Sequence, residues 1–420
     1  MAGFDLTRAA GILKRVYDKK LHEVLYSVDN AKLNPGFVGL KRDSGKRVVT
    51  PFGSAYAVPI KYGRVSASSA DYATAETLSG QADQGAAPKY AQFLVTPSTY
   101  FTVHQVAGDT LDRATDEGAF IDAAAEVVKD ALAAHMRRLM IHTHGTGSGK
   151  VATITAAPTS TTITIDPSEV RRFEIGDWIV AAAAEATGSL RSATAAQVTG
   201  RNSVTGVLTL SIDVTALSWA SGDSVFFKGD RAAAGFTNVF AGYFGIVGSS
   251  APSGGESFFG VDRSVDTRLG GLRYDATGKD MGEMLTEAAM LAVGEGAMIA
   301  RCRMSTKDYG SLVKERDDLK HIAINSENST LGFKAIEYVS PVGTFPVLLD
   351  EGMPIGHAFL ETEDWRMLCK DGELATIVSH DGLVLRKVAG ADAYSCYVKS
   401  MIQPVCDRPG HQVHVYNVGS

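Results

Sequence analysis

The stretch HTHGTGSGKV, residues 142–151, poses the first question in this 420-residue sequence. A glycine-rich run ending in Gly-Lys suggests a phosphate-binding loop. That motif, G-x-x-x-x-G-K-[ST], needs a glycine where His144 stands and a hydroxyl where Val151 stands. Its context is inverted as well. A phosphate loop precedes a helix N-terminus, whose dipole favours anions, whereas this run follows a helical pattern. Gly145–Lys150 therefore reads as a glycine cap that turns the chain out of a long helix, and a P-loop ATPase is the rejected rival.

The helix before it is GAFIDAAAEVVKDALAAHMRRLMIHTHG, with Thr115 or Asp116 as its cap. Phe120, Ile121, Ala124, Val127, Val128, Ala131, Leu132, His135, Leu139 and Met140 form one apolar stripe at helical spacing. Roughly 25 residues give a rod of about 37 Å. After the loop, from Val151 to Asp230, the texture becomes Thr, Val, Ile and Ala with frequent Gly. STTITID, DWIVAAA, GVLTLSI and DSVFFKG predict short strands of a small barrel or sandwich. IGDWIV (175–180) and SGDSVF (221–226) echo one another, each placing Gly-Asp in a turn before an apolar strand.

Further out, Leu6, Ala10, Leu13, Val16, Tyr17, Leu21, Val24 and Leu25 predict an amphipathic N-terminal helix. The segment from Lys46 to Val106 starts and ends as strand around a small, polar middle, Ser66–Pro88, which reads as an extended hairpin. Such a hairpin is marginal alone and needs something to lie on, such as another subunit. Beyond the linker GIVGSSAPSGGESFFGVDRS, Met281, Met284, Leu285, Ala288, Leu291 and Ala292 mark one helix. Ser305 and Asp308 open another in capping-box fashion. FKAIEYV, TFPVLLD, GHAFLE, LVLRKV, AYSCYVKS and HQVHVYNV read as strands, so the C-terminal part is α+β.

Composition is that of a folded chain, with 45% hydrophobic and 21% charged residues. No run approaches a membrane span and no signal peptide is visible, so the expectation is a cytoplasmic product without a membrane partner. Residues 1–50 carry ten basic against five acidic side chains, a formal +5, while the whole chain is −6 and the remainder therefore −11. Such a basic arm could approach polyanions.

Candidate chemistry is thin. His142 and His144 form an H-x-H pair that could ligate a metal, but no third ligand is nearby, and a surface or interface position is favoured. His411 and His414 fall on opposite faces of a strand, and His104 is isolated. Glu361–Asp364 reads as an exposed acidic turn rather than a carboxylate pair. Cys302, Cys369, Cys396 and Cys406 lack metal or disulfide spacing and read as core thiols. No catalytic, cofactor or metal residue is assigned, and an enzyme is not expected.

The order of these features resembles the major capsid proteins of tailed double-stranded-DNA bacteriophages, with the Hong Kong 97-type fold. The resemblance rests on GILKRVYDKKLHEVLY, YAVPIKYGRVSASSADYATAET, PSTYFTVHQVAGDTLDRA, the long helix with its glycine turn, FGVDRS, MSTKDYGSL, VGTFPVLLDEGMP and YSCYVKSMIQPVCDRPGHQVHVYNV. It implies an α+β fold with an N-terminal arm (1–44), an extended E-loop hairpin with flanking strands (45–106), and a peripheral domain with the spine helix (107–150). A β-rich insertion domain (151–232), an axial domain (233–390) and a return to the peripheral domain (391–420) complete it.

By the same resemblance the chain forms hexamers and pentamers of an icosahedral shell around packaged double-stranded DNA, assembled in the host cytoplasm. It implies a portal protein, a decoration protein and a separate scaffolding protein as partners, since no long charged prodomain precedes the arm. Non-specific DNA contact would run through that arm. An encapsulin-like nanocompartment shell and a phage tail or decoration protein are the alternatives.

Overall fold

A computed structural model describes residues 41–43, 47–50, 53–65, 67–80, 88–109, 123–185, 189–231, 239–255, 257–319, 336–350, 352–369, 374–378 and 384–419. The expected N-terminal helix and the caps Thr115 and Asp116 lie outside these residues. The protein is mixed α+β, with three six-stranded sheets carrying most of the order.

The first sheet is organised by one long strand, Ala393–Cys406. Along one edge it pairs antiparallel with Ser98–Ala107 over its first ten residues. Along the other it takes Trp365–Cys369, Thr376–Ile377 and Leu385–Lys387 in turn. Lys41–Asp43 adds to Trp365–Cys369 in parallel. Pro404 sits past the end of the Ser98–Ala107 ladder, where a residue without an N–H interrupts least. The helix Ala123–Thr143, about 31 Å long at 1.5 Å per residue, lies across this sheet. Val127 and Ala131 bury against Val106, Cys396 and Val398, and Leu139 against Met367, Cys369 and Ile402. Leu132 departs from the expected stripe and is exposed. His135, inside the stripe, is fully buried because Thr102 and Ser400 satisfy its two ring nitrogens at 2.9 and 2.6 Å; burial pushes its pKa down to about 4, which leaves it neutral.

The second sheet runs Lys150–Thr153, Ser224–Phe227, Trp178–Ala182, Ala196–Asn202, Val207–Leu210 and Thr162–Thr164. Thr155 N–H donates to the Thr164 carbonyl, drawing the last strand back toward the first around an apolar interior of Ile154, Ile163, Val170, Phe173, Ile179, Leu208 and Phe227. The Gly-Asp echo is a shared turn. Gly176 and Gly222 take positive φ, and the Asp177 and Asp223 side chains accept from the N–H three residues upstream, of Glu174 and Ala220. Each turn then locks onto a neighbouring strand by a reciprocal pair. Gly176 N–H donates to Val198 and receives Val198 N–H at Asp177; Gly222 and Asp223 do the same with Ile154. The strands that follow the two turns pair with one another.

The third sheet has the order Leu272–Asp275, Val413–Tyr416, His357–Glu361, Arg301–Met304, Gly343–Leu349 and Ile336–Ser340. Helices Met281–Gly294 and Thr306–Leu319 accompany it. Met281, Met284, Leu285, Ala288 and Ala292 face its core, whereas Leu291, expected on the same stripe, is 38% exposed. Ser305 and Asp308 form the expected reciprocal cap, Asp308 N–H to Ser305 Oγ and Ser305 Oγ to Asp308 Oδ2. The C-terminal residues 391–419 contribute to two sheets, with Ala393–Cys406 in the first and Val413–Tyr416 inside the third.

A smaller sheet joins Arg47–Thr50, Gly53–Lys61 and Tyr90–Val95. The run expected as one returning strand is divided at Pro97, which has no N–H for a ladder. Tyr90–Val95 pairs back to Gly53–Lys61, while Ser98–Ala107 leaves for the first sheet. The polar middle contains a short exposed helix, Tyr72–Gly80, capped by Asp71 through Thr74 N–H.

Asp223 is buried and bonds both Ala220 N–H and, through two contacts of 3.0 and 2.8 Å, the Arg191 guanidinium. Asp223→Ala is expected to destabilise the second sheet by about 1–3 kcal/mol. A thermal melt unchanged from wild type would show that the turn does not need its cap.

Candidate functional site: the polar junction beyond the long helix

The helix ends where its sequence changes from apolar to polar and glycine. Thr143 Oγ1 donates to the Leu139 carbonyl, and Gly145 N–H closes the last turn on the His142 carbonyl at 2.9 Å. Gly147 and Gly149 take φ of +91° and +81°, a region side chains disfavour. Against this turn packs the segment around Gly242, whose N–H donates to the Gly145 carbonyl. A Cβ on Gly242 would stand 2.2 Å from the Thr143 carbonyl oxygen, so only glycine permits that approach.

The polar residues of the turn reach three separate places. His142 meets Asp230 at 2.9 Å, at the end of the second sheet. His144 meets Asp350 at 3.0 Å, in the third. Thr146, Ser148 and Lys150 converge on one carboxylate, Glu185, at 2.6, 3.1 and 3.2 Å. Glu185 thus takes up the hydroxyls and the lysine of the turn. The backbone N–H groups of Ser148 and Lys150 go to the hydroxyls of Thr146 and Ser148. Burial alone would raise the Glu185 pKa, but Lys150 and the two hydroxyls outweigh it and hold it below its ordinary value.

His144 begins a chain of buried charge. Its Asp350 partner is completely buried, as is Arg303, which contacts Asp350 at 3.4 Å and Glu361 at 2.8 Å. Arg301 closes on the same Glu361 oxygen. The sheet register explains the convergence, because Arg301 and Arg303 lie two apart on one strand face and Glu361 is directly opposite Arg301. Gly352 N–H completes Asp350 at 3.0 Å. Tyr243 roofs the cluster. Its ring stacks on His144 at 5.4 Å and 20°, lies 5.6 Å from the Arg303 guanidinium, and rests on Trp365 and Phe359. Burial drives the Asp350 pKa up, but His144 and Arg303 together outweigh it and hold the carboxyl at about 2.

Several expected positions are corrected by burial. His142 and His144 are not surface histidines; both are buried, and they point to different carboxylates rather than to one shared ligand. Glu361 is no exposed turn residue but the hinge of the ion network; of Glu361–Asp364 only Glu363 faces solvent. His411 lies in a 3-10 turn before the strand, 3.9 Å from Asp364. His414 bonds His357 at 3.0 Å and stacks on Phe244, and burial lowers the pair to about 3 and about 4. His104 is half-buried opposite Cys396.

All four cysteines are buried, and burial pushes the thiols of Cys302 and Cys406 well up, so neither supplies a thiolate. Among the described residues no three His, Cys, Asp or Glu side chains converge as a metal would require, and no helix is long and apolar enough to cross a membrane. Asp350, Arg303, Tyr243 and Glu185 escape sequence reasoning. Arg301 and Arg303 flanking Cys302 look like the solvated face of a strand, and nothing local reveals that this face is covered.

Asp350→Ala would leave the buried Arg303 without one of its two carboxylates and His144 without its partner, with an expected loss of about 3–5 kcal/mol; an unchanged urea midpoint at pH 7 would refute the network's role. Because the folded pKa of about 2 is below the unfolded value of about 3.9, Asp350 stabilises fully above pH 4. That contribution fades as pH falls toward 2. The expected signature is a drop in stability over this window that is missing in Asp350→Asn.

No protein-family model matches the chain. No curated protein matches it either. Among solved structures it is similar to a chain of the cyanophage A-1(L) capsid asymmetric unit, at 10% identity and TM-score 0.48, covering 95% of this chain and 96% of that one. It is also similar to a chain of the capsid of a native GTA particle, at 8% identity and TM-score 0.46, and to one from Mycobacterium phage Bobi, at 10% and 0.42, each covering 100% of both chains.

Proposed function

We propose that this chain is the structural subunit of a phage capsid, a self-assembling icosahedral shell around double-stranded DNA, and not an enzyme. One observation carries the reading: the strands Gly53–Lys61 and Tyr90–Val95 form a paired ribbon of which the monomer buries one face only. One face, Tyr56, Val58, Ile60, Phe93 and Val95, packs on Leu269, Leu368 and Val405. The other leaves Tyr90 66% and Leu94 36% exposed, and the helix at the far end of the ribbon leaves Tyr72 79% exposed. A small three-stranded sheet with large side chains such as Tyr90 and Leu94 on its outer face gains stability from something laid against it. In a repeating shell a neighbouring copy supplies that surface through heterologous contacts that close on themselves.

The sequence resemblance supports the same reading and extends it. The ribbon corresponds to the extended loop, the helix Ala123–Thr143 to the spine, and residues 151–232 to a β-rich insertion domain. Hexamers and pentamers of this chain would form the shell in the host cytoplasm, with scaffolding, portal and decoration proteins as separate partners. The basic arm, residues 1–44, would face the DNA.

Two measurements test the reading. Negative-stain microscopy of the purified full chain is expected to show closed particles of uniform size; tubes, trimers or monomers under all conditions would exclude a shell. Replacing residues 67–87 with a short Gly-Ser turn is expected to leave the subunit's melting temperature within about 4 °C, a shift equivalent to roughly 1 kcal/mol in a large domain, while closed particles disappear. Shells that still assemble without the segment would remove the ribbon from the mechanism. Particles from infected cells that hold a protein cargo and no DNA would favour a nanocompartment instead.

A further inference from the structure

A cleft of about 300 Å³ lies where the long helix, the second sheet and the start of the helix Thr306–Leu319 meet. Five cationic side chains line it, Arg137, Arg171, Arg172, Arg201 and Lys307, against one carboxylate, Glu174, a formal excess of four. Glu174 sits between Arg137 and Arg201 and bonds both. Arg172 is held across the cleft floor by the Val151 carbonyl at 2.6 Å, Glu169 at 3.2 Å and the Gly352 carbonyl at 3.4 Å. Arg171 and Lys307 are exposed, and Lys307 has the Asp308 carboxylate as its neighbour in the helix. Asp308, in the same helical turn as Lys307, is turned away to Ser305 and Gly356 and does not line the cleft.

We propose that this cleft binds a compact phosphate-type oxyanion of pyrophosphate size. Arg172 is paired with Glu169, and Glu174 is shared by Arg137 and Arg201, so once both carboxylates are counted three positive charges remain around the recess, and they repel one another unless an anion joins them. The remaining cations reach the recess from different elements, Arg171 and Arg172 from the 3-10 segment Glu169–Arg172 and Lys307 from the helix Thr306–Leu319, with Thr306 offering a hydroxyl beside it. A tetrahedral phosphate directs oxygens to several sides at once, whereas a carboxylate presents only one planar pair. The first turn of the fourteen-residue helix adds its N-terminal dipole to the same end of the cleft. The cleft is too small for duplex DNA, so the shared chemistry is a free polyphosphate or an exposed phosphate of a nucleic-acid strand. This inference is independent of the shell reading.

The test titrates inorganic pyrophosphate into the full chain at low ionic strength, where screening is weakest, by calorimetry and thermal shift. Saturable one-site binding with a raised melting temperature is expected. Arg171→Glu with Lys307→Glu should weaken it at least tenfold without lowering the anion-free melt, since both side chains are exposed and their reversal relieves repulsion among the cleft's cations. Undiminished affinity in the double variant, no saturable binding, or equally tight binding of a tricarboxylate would each overturn the proposal. A short single-stranded oligonucleotide that competes for the site identifies nucleic acid as the source; a failure to compete identifies the free anion.

Discussion

Asp350 can be charged in a completely buried position only because Arg303 and His144 meet it there. That requirement fixes much of the rest. His144 belongs to the turn after the long helix, Arg303 to one central strand of the third sheet, and Glu361, the other carboxylate on Arg303, to the neighbouring strand. None of these charges would be tolerated at its position without the others, since isolated buried ions cost several kcal/mol each. A one-residue slip of the strand His357–Glu361 would turn Glu361 to the opposite face and strand both arginines. Apolar side chains of similar volume could fill the space, but they would not dictate which helix end meets which strand.

The second sheet is attached by the same logic. Its first and last strands, Lys150–Thr153 and Ser224–Phe227, pair with one another, so the chain enters and leaves at adjacent points. A β unit with neighbouring ends can be carried in a connection without separating what flanks it. It is then secured at both ends, by Glu185 reaching back to Thr146, Ser148 and Lys150, and by Asp230 reaching back to His142. Arg138, on the helix itself, adds Asp177 at 2.6 Å, using the side chain that also caps the first Gly-Asp turn.

The parts legible in the sequence are those governed by local rules. The long helix shows in its apolar period, the capping of Thr306–Leu319 in Ser305 and Asp308, and the paired turns in two Gly-Asp dipeptides. All are decided within a few residues by periodicity, caps and φ preference. What was hidden depends on partners far along the chain. His142 and His144 looked like fraying-end residues because their carboxylates are 88 and 206 positions away. The strand Arg301–Met304 went unread because alternating arginines mimic a wet face, and Trp365–Cys369 because Glu363 and Asp364 before it look like a loop. The division at Pro97 was available in principle, since a residue without an N–H commonly ends a ladder, yet apolar alternation on both sides concealed it.

The distribution of polar and apolar contacts bears on how a subunit of this design would behave. Its strongest electrostatics are spent inside, on Asp350, Glu361 and Asp230, where low dielectric and burial shield them from salt. Part of its exposed apolar surface lies on the ribbon that carries Tyr90 and Leu94 and at its far end beside Tyr72. A body stiffened by internal ion pairs keeps its shape when its neighbours change. In the proposed shell, a thin ribbon with a modest apolar face would make contacts weak enough to break and remake during assembly, yet numerous enough in a closed lattice to add up. The turn at Gly145–Lys150 is central to that division of labour. It resembles a phosphate loop because both must gather donors around an anion in a tight glycine turn, but here the anion is the protein's own Glu185, and what the loop holds is the second sheet.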